Sequence, residues 1–319
     1  MDVICIGEML VDFTPAKEAY TYKANPGGAL ANVAVSVSRN DLKAGFIGKL
    51  GNDDFGRMLA KTLEDNDVKL LCPQLTDKAN TTLAFVTLRE DGERSFTFVR
   101  KPGADLLLSK ADVKKEDLAD AKLLNAGSVG MSGESSADAV VYAMRTAHEL
   151  GKPVGFDINY RANIWSFKEC KAQVERVLAY IDLLKISDEE TDFVGGQENI
   201  PDFMKKHDIK AVILTLGADG ARYYLKEEDG SVISGHIKGI KVDAVDATGA
   251  GDAFWGTLLA KLLSDGVEKA SDINHELIKN AVLYGNVSGA LCVQKTGGIP
   301  AIPTLDEIED FLKKLKSEN

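Results

Sequence analysis

The chain has 319 residues, 45% hydrophobic and 27% charged, which fits a globular α/β protein and excludes a disordered or fibrous one. Its formal charge of −11, from 38 Lys plus Arg against 49 Asp plus Glu, argues against nucleic acid or an anionic membrane as partner. The four cysteines (Cys5, Cys72, Cys170, Cys292) form no CxxC, the four histidines show no metal-ligand spacing, and no apolar run reaches membrane length, so reduced thiols, a cytoplasmic location and no signal peptide are expected.

In chain order, residues 3–7 read as a first strand that ends in Gly7-Glu8-Met9, not in GxGxxG, so dinucleotide binding is not expected. Pro26-Gly27-Gly28-Ala29-Leu30-Ala31-Asn32 then runs into a helix over residues 33–38. Its backbone amides and the Asn32 amide, which both donates and accepts, suit a polyhydroxyl ligand. A glycine pair before a helix is also an ordinary packing device. Residues 48–56 form a second glycine cluster in which Asp53 reads as a structural helix cap. Gly48-Lys49-Leu50 lacks the spacing and hydroxyl of a P-loop.

Residues 81–88 and 94–100 are β-rich runs around Glu90-Asp91-Gly92-Glu93, a hairpin signal. With residues 20–23 as a third strand, they form either a small lid sheet or an edge hairpin of the main sheet. Further strands are expected at residues 123–125, 154–157, 183–186 and 211–215, alternating with helices such as 135–150 and 167–180. That alternation defines an α/β fold, a parallel sheet covered by helices on both faces. Ligands in such sheets sit beyond the carboxyl ends of the strands, where Asp12, Asn159, Ser187 and Gly217 fall.

Residues 245–252 precede the apolar run 253–259. A helix starting near Asp252 leaves its first N–H groups free, and these with the helix dipole attract phosphate. Gly249 and Gly251 let the backbone close around an anion. Asp252 is then either an N-cap or a base for a hydroxyl attacking phosphorus. With no P-loop on the chain, residues 249–252 are the phosphate site. Residues 313–316 read as the solvated end of a last helix.

The Gly-Gly…Asn element, the second glycine cluster and Asp246-Ala247-Thr248-Gly249-Ala250-Gly251-Asp252 occur in the order of the ribokinase-like (PfkB) carbohydrate kinases. The chain resembles that family over nearly its whole length, and within it the bacterial and plant fructokinases. Residues 7–12, 98–105 and 241–246 carry the narrower likeness. The resemblance implies one kinase domain over residues 1–319, with a three-layer αβα core, a mostly parallel sheet, and a small β-sheet lid from insertions at about 13–26 and 81–102.

It also implies roles. Asp252 is the general base, and Gly249, Ala250 and Gly251 form the anion hole for the transferred phosphoryl group. Asp12, Gly28 and Asn32 hold the sugar, Arg100 closes over it from the lid, and Asn159 and Arg161 lie near the phosphate path. ATP takes Lys185, Ser187, Thr215, Gly217, Gly220, Gly251 and Asn286. Glu190 holds Mg²⁺ through water, and Asp246, Thr248 and Gly297 match a monovalent cation site for an activating K⁺. Ser187 stands where the family often has Asn, and Ala247 where Thr is expected.

The implied reaction turns D-fructose and ATP into fructose 6-phosphate and ADP. One rival is a kinase for 2-keto-3-deoxygluconate, ribose or a nucleoside, with Arg161 available for a substrate carboxylate. Another is a non-catalytic sugar-binding regulator, against which the intact Asp252 speaks. Phe96 and Phe98 fall on one side of the lid by alternation, so a homodimer through the lid is expected.

Overall fold

The structure is a computed structural model that describes residues 1–16, 18, 20–88 and 94–317. The turn expected at Glu90-Asp91-Gly92-Glu93 and the side chain of Phe96 lie outside the described residues. In chain order the strands are β1 (Val3–Ile6), β2 (Leu10–Pro15), β3 (Tyr22–Gly27), β4 (Ala44–Ile47), β5 (Val68–Leu70), β6 (Leu83–Leu88), β7 (Arg94–Val99), β8 (Leu123–Gly127), β9 (Val154–Asp157), β10 (Leu183–Ser187), β11 (Ala211–Thr215), β12 (Gly220–Lys226) and β13 (Val232–Lys238). The helices are α1 (Ala29–Arg39), α2 (Asp54–Glu64), α3 (Lys115–Ala119), α4 (Glu134–Glu149), α5 (Phe167–Glu175), α6 (Ile200–His207), α7 (Ala250–Ser264), α8 (His275–Cys292), α9 (Gly298–Ala301) and α10 (Leu305–Ser317).

The large sheet has nine strands in the order β13-β12-β11-β10-β9-β8-β1-β4-β5. From β5 to β11 every neighbouring pair is parallel, and β12 and β13 finish the edge antiparallel. Its central strands are mostly apolar because both faces are covered, with Asn125 on β8 and Lys185 on β10 as polar exceptions. Val3 and Cys5 enter one core with α1, α7 and α8, whereas Ile4 and Ile6 enter the other with α4, α5 and α6. The sheet is thus the middle layer of three. α7 is buried along nearly all its length, wedged between the sheet, α1 and α8. Trp255 on α7 is fully buried and donates its Nε1–H to Asn125 Oδ1 on β8 at 2.8 Å.

The β-rich hairpin belongs to a second, four-stranded sheet, β3-β2-β6-β7, and not to the edge of the large one. β2 pairs in parallel with β6, while β2 with β3 and β6 with β7 are antiparallel. The strand expected at residues 20–23 runs instead from Tyr22 to Gly27, and β2 was hidden by Asp12 and Pro15 within its run. Its anchor is aromatic: Phe13 stacks on Phe85 with centroids 4.9 Å apart and meets Phe55 of α2 edge-on at 5.5 Å. The helix expected over 167–180 stops at Glu175, and residues 178–180 form a separate 3₁₀ turn.

Candidate active site

The N-terminus of α7 settles the local geometry of the 249–252 segment. The helix begins at Ala250, and its N-cap is Gly249, at φ +78°, with no side-chain cap. A Cβ there would also stand 3.0 Å from the Cα of Gly298, so glycine is required twice over. Asp252 is therefore inside the first turn and is not the N-cap. Asn32 Nδ2 donates to Asp252 Oδ2 at 2.7 Å. Burial, then the Asp157 carboxylate, raise the Asp252 carboxyl above its ordinary value against the pull of Asn32, Lys185 and Arg161. The loop before the helix is stapled by Asp246, whose Oδ1 accepts from Thr248 N–H at 2.8 Å and whose Oδ2 accepts from Gly297 N–H at 3.0 Å. Cys292 Sγ lies 3.8 Å from the Thr248 carbonyl.

Two clefts meet at this helix end. The smaller, about 400 Å³, is walled by Asp12, Gly28, Asn32, Asn159 and Arg161, with Glu8, Phe98 and Val129. Gly28 turns the chain from β3 into α1 at φ +110°, where a Cβ would come 2.7 Å from the Glu8 carbonyl. Glu8 Oε1 accepts the Ala29 N–H at 2.9 Å, which orients the first turn of α1 and so Asn32. Its Oε2 is buried without a partner, and burial pushes the carboxyl up to about 7. Asp12 is also pushed up to about 7, by burial first and then by the Asp252 charge, with Arg161 opposing. Asn32 Oδ1 has no partner either. Asn159, just past β9, is held at φ +40°, a left-handed conformation that is rare outside glycine and typical of functional positions.

The larger cleft, about 880 Å³, lies on the other side of Asp252 and shares Asn159, Arg161, Gly249 and Asp252 with the first. Lys185, Ser187, Glu190, Thr215, Gly217, Gly220, Gly251 and Asn286 line it, facing a loop over residues 239–244. Lys185 is buried and its Nζ lies 2.7 Å from Asp157 Oδ2. Burial works against its charge, but Asp157, Glu190 and Asp252 outweigh it and hold the ammonium above its ordinary range. Glu190 accepts from Tyr160 N–H at 2.6 Å and Ser187 N–H at 2.9 Å, a capping box that closes the turn after β10. Burial and Asp157 raise its carboxyl. Asn286 Nδ2 donates to the carbonyls of Ile237 at 3.0 Å and Lys238 at 3.3 Å, tying α8 to the cleft wall. Among the described residues no group of three or more His, Cys, Asp and Glu is arranged to hold a metal ion.

For Arg100, expected to close over the sugar, the structure shows where the guanidinium is engaged. Its guanidinium is buried against Asp105, donates to Ser132 Oγ at 2.6 Å and Val129 O at 3.3 Å, and is not part of the lining of the smaller cleft. A buried charge needs a buried partner, and the tight return of residues 103–105 brings Asp105 to it. Sequence reasoning gave no role to Glu8 or Asp157. Each is a carboxylate placed just past or at the end of an apolar strand, the signal that could have singled it out.

A helix N-terminus aimed at the junction of two clefts, with a carboxylate in its first turn, defines a phosphotransferase that brings a donor and an acceptor together. The profile described as "pfkB family carbohydrate kinase" matches residues 1–305, and the chain belongs to that family. It is 40% identical to probable fructokinase-2 of Arabidopsis thaliana, across 98% of this chain and 95% of the relative. Its structure is similar to the fructokinase with bound ATP from Xylella fastidiosa, with TM-score 0.91 and 29% identity over 99% of each chain. It is likewise similar to a fructokinase double mutant from Vibrio cholerae O395 in its fructose, ADP and potassium ion bound form, with TM-score 0.87 and 33% identity over 98% of each chain.

Proposed function

We propose that this chain is an ATP-dependent fructokinase, converting D-fructose and ATP to fructose 6-phosphate and ADP. The observation that carries the reading is the meeting of the two clefts at Asp252 and Gly249. The smaller cleft takes the sugar. Asp12, the Gly28 turn and the unpartnered Asn32 Oδ1 present groups for its hydroxyls, with Asn159 and Arg161 at the phosphate path. The larger takes ATP, with Lys185, Ser187, Thr215, Gly217, Gly220 and Asn286 along it.

Asp252 accepts the proton of the attacking sugar hydroxyl as its oxygen bonds to the γ-phosphorus. The bond from that phosphorus to the β–γ bridging oxygen breaks, and ADP leaves. The raised carboxyl of Asp252 makes it a better proton acceptor than an ordinary aspartate. The amides of Gly249, Ala250 and Gly251 and the dipole of α7 stabilise the charge on the transferred group. Magnesium supplies charge neutralisation between the ATP phosphates when bound. Glu190 and the partnerless Asp157 Oδ1 are the oxygens that would hold it, through water. A potassium ion would sit beside the loop that Asp246 staples to Thr248 and Gly297, stiffening the anion hole.

The chain acts as one kinase domain with the small sheet as its lid, excluding water that would otherwise compete as acceptor. The exposed apolar side chains Tyr22 (46%) and Val99 (56%) on that sheet support a homodimer through the lid, and light scattering that shows a monomer at working concentration removes it. Four free, buried cysteines support a reducing, cytoplasmic setting.

A panel of sugars with ATP, read as ADP release, tests the assignment. Fructose is expected to give the highest kcat/KM. A sugar acid would need a second cation beside Arg161, and Arg100 is engaged by Asp105. A higher kcat/KM for 2-keto-3-deoxygluconate than for fructose overturns the choice of substrate, and sugar binding with no turnover overturns the enzyme.

A further inference from the structure

The segment from Phe98 to Asp105 resembles the fructokinases, yet Arg100 does not line the acceptor cleft. Its partner explains the pattern. Asp105 is 4% exposed, and its two oxygens hold the two ends of one hairpin. Oδ1 accepts from Thr82 Oγ1–H at 2.5 Å, immediately before β6 begins. Oδ2 accepts from Arg100 Nε–H at 2.9 Å and from its Nη2–H, immediately after β7 ends. A backbone bond from Ala104 N–H to the Asn80 carbonyl, 2.8 Å, closes the same root.

The remaining donors of Arg100 reach away from the hairpin. Nη1 bonds Ser132 Oγ at 2.6 Å, and Nη2 lies 3.3 Å from the Val129 carbonyl, which Ser132 Oγ also meets at 2.7 Å. Val129 is a wall of the acceptor cleft, as is Phe98, two residues before Arg100. The root of the hairpin is thus fastened to the cleft it overlies. β6 also pairs with β2 at Ala84↔Asp12, so the position of the hairpin and that of Asp12 are coupled through the sheet register. The charges facing this pair are those of Glu8, which feels both Arg100 and Asp105.

We propose that Asp105 and Arg100 are a positioning pair that fixes the small sheet over the acceptor cleft, and that Arg100 influences the reaction through this clamp and not by touching sugar or phosphate. The proposal rests on the kinase reading above. Loosening the clamp lets water into the cleft and lets Asp12 drift, so sugar binding weakens and ATP is hydrolysed without transfer.

The test compares Asp105→Asn, which leaves Arg100 whole, with Arg100→Lys, which keeps the charge and loses the fork. Fructose 6-phosphate and ADP are measured together, with KM for fructose, KM for ATP and Tm. Both variants are expected to raise KM for fructose by about tenfold and to raise the ratio of ADP to fructose 6-phosphate, with kcat changed less. The double variant Arg100→Met with Asp105→Leu, which leaves no lone buried charge, is expected to be no worse than the sum of the singles. Thr82→Val removes one arm of the clamp and gives the same pattern more weakly, should Asp105→Asn fail to fold. If Arg100→Lys lowers kcat while Asp105→Asn leaves KM for fructose and the product ratio unchanged, Arg100 touches the reacting groups and the clamp is wrong. A lowered Tm with KM and product ratio both unchanged marks a merely structural pair and also overturns it. Failure of the wild-type enzyme to phosphorylate any sugar overturns the kinase reading instead.

Discussion

The two clefts share Asp252 and Gly249 but are built in opposite ways. The smaller cleft is made of side chains held by buried structure: Glu8 bonds the first turn of α1, Asn32 of α1 bonds Asp252, and Asp12 lies on a strand paired on both sides. The larger cleft sets side chains such as Lys185, Thr215 and Asn286 on one wall against main chain on another. Its far wall, residues 239–244, has no regular structure, and Gly217 and Gly220 both turn at positive φ. Side chains read hydroxyl positions one by one and so discriminate among sugars. A backbone-lined wall reads shape and phosphate charge, which every nucleoside triphosphate offers.

The contrast can be broken or sharpened by substitution. Asp252→Asn strikes the shared point and has the largest expected effect, a fall in kcat of roughly 10²–10⁴ with both KM values little changed. A variant that keeps more than about a tenth of kcat would remove Asp252 as the base. Lys185→Met, on the nucleotide side, is expected to raise KM for ATP by about ten- to a hundredfold and leave KM for fructose near its starting value. Asp12→Asn, on the acceptor side, is expected to do the reverse, with KM for fructose up about tenfold. If either variant shifts both constants equally, the two clefts are one functional unit and the comparison fails.

The smallest effect concerns pH. Glu8 and Asp12 are both raised to about 7 in the folded chain, from ordinary values of 4.5 and 3.8. The folded state therefore binds more protons than the unfolded one between about pH 4 and 7. The stability from these protonated carboxyls is full below their unfolded values and is lost as pH rises through 7. Tm should fall from pH 5 to 8, and Glu8→Gln should flatten that slope. An unchanged slope in Glu8→Gln would mean that its carboxyl does not titrate in this window.

How legible each region was follows from the same contrast. Gly249 to Asp252, Gly28 and Asn32 stood out because their residue types are costly to place without a reason, and the structure brings them to one point. Alternation between apolar runs and helical patterns was enough for the large sheet, because its central strands are buried on both faces. β2 was not visible, since Asp12 and Pro15, residue types depleted in strands, interrupt its short run. The pairing of Arg100 with Asp105 was not legible because it depends on a backbone return and a long side-chain reach, neither of which has a periodic signature. Glu8 was quoted within the first strand's ending, but nothing local shows that its carboxyl caps a helix more than 20 residues later.

The bond between Asn32 and Asp252 has a consequence in time. Its partners are 220 residues apart, and Asp246 waits a further 51 residues for Gly297. At about 5–20 residues per second of synthesis, the Asn32 amide exists for roughly 10–40 s before the Asp252 carboxylate it bonds has been made. A nascent chain can bury β1, α1 and β4 early, but it holds no competent site until its last helices have emerged. The two clefts thus come together at Asp252 only in a chain that is nearly finished.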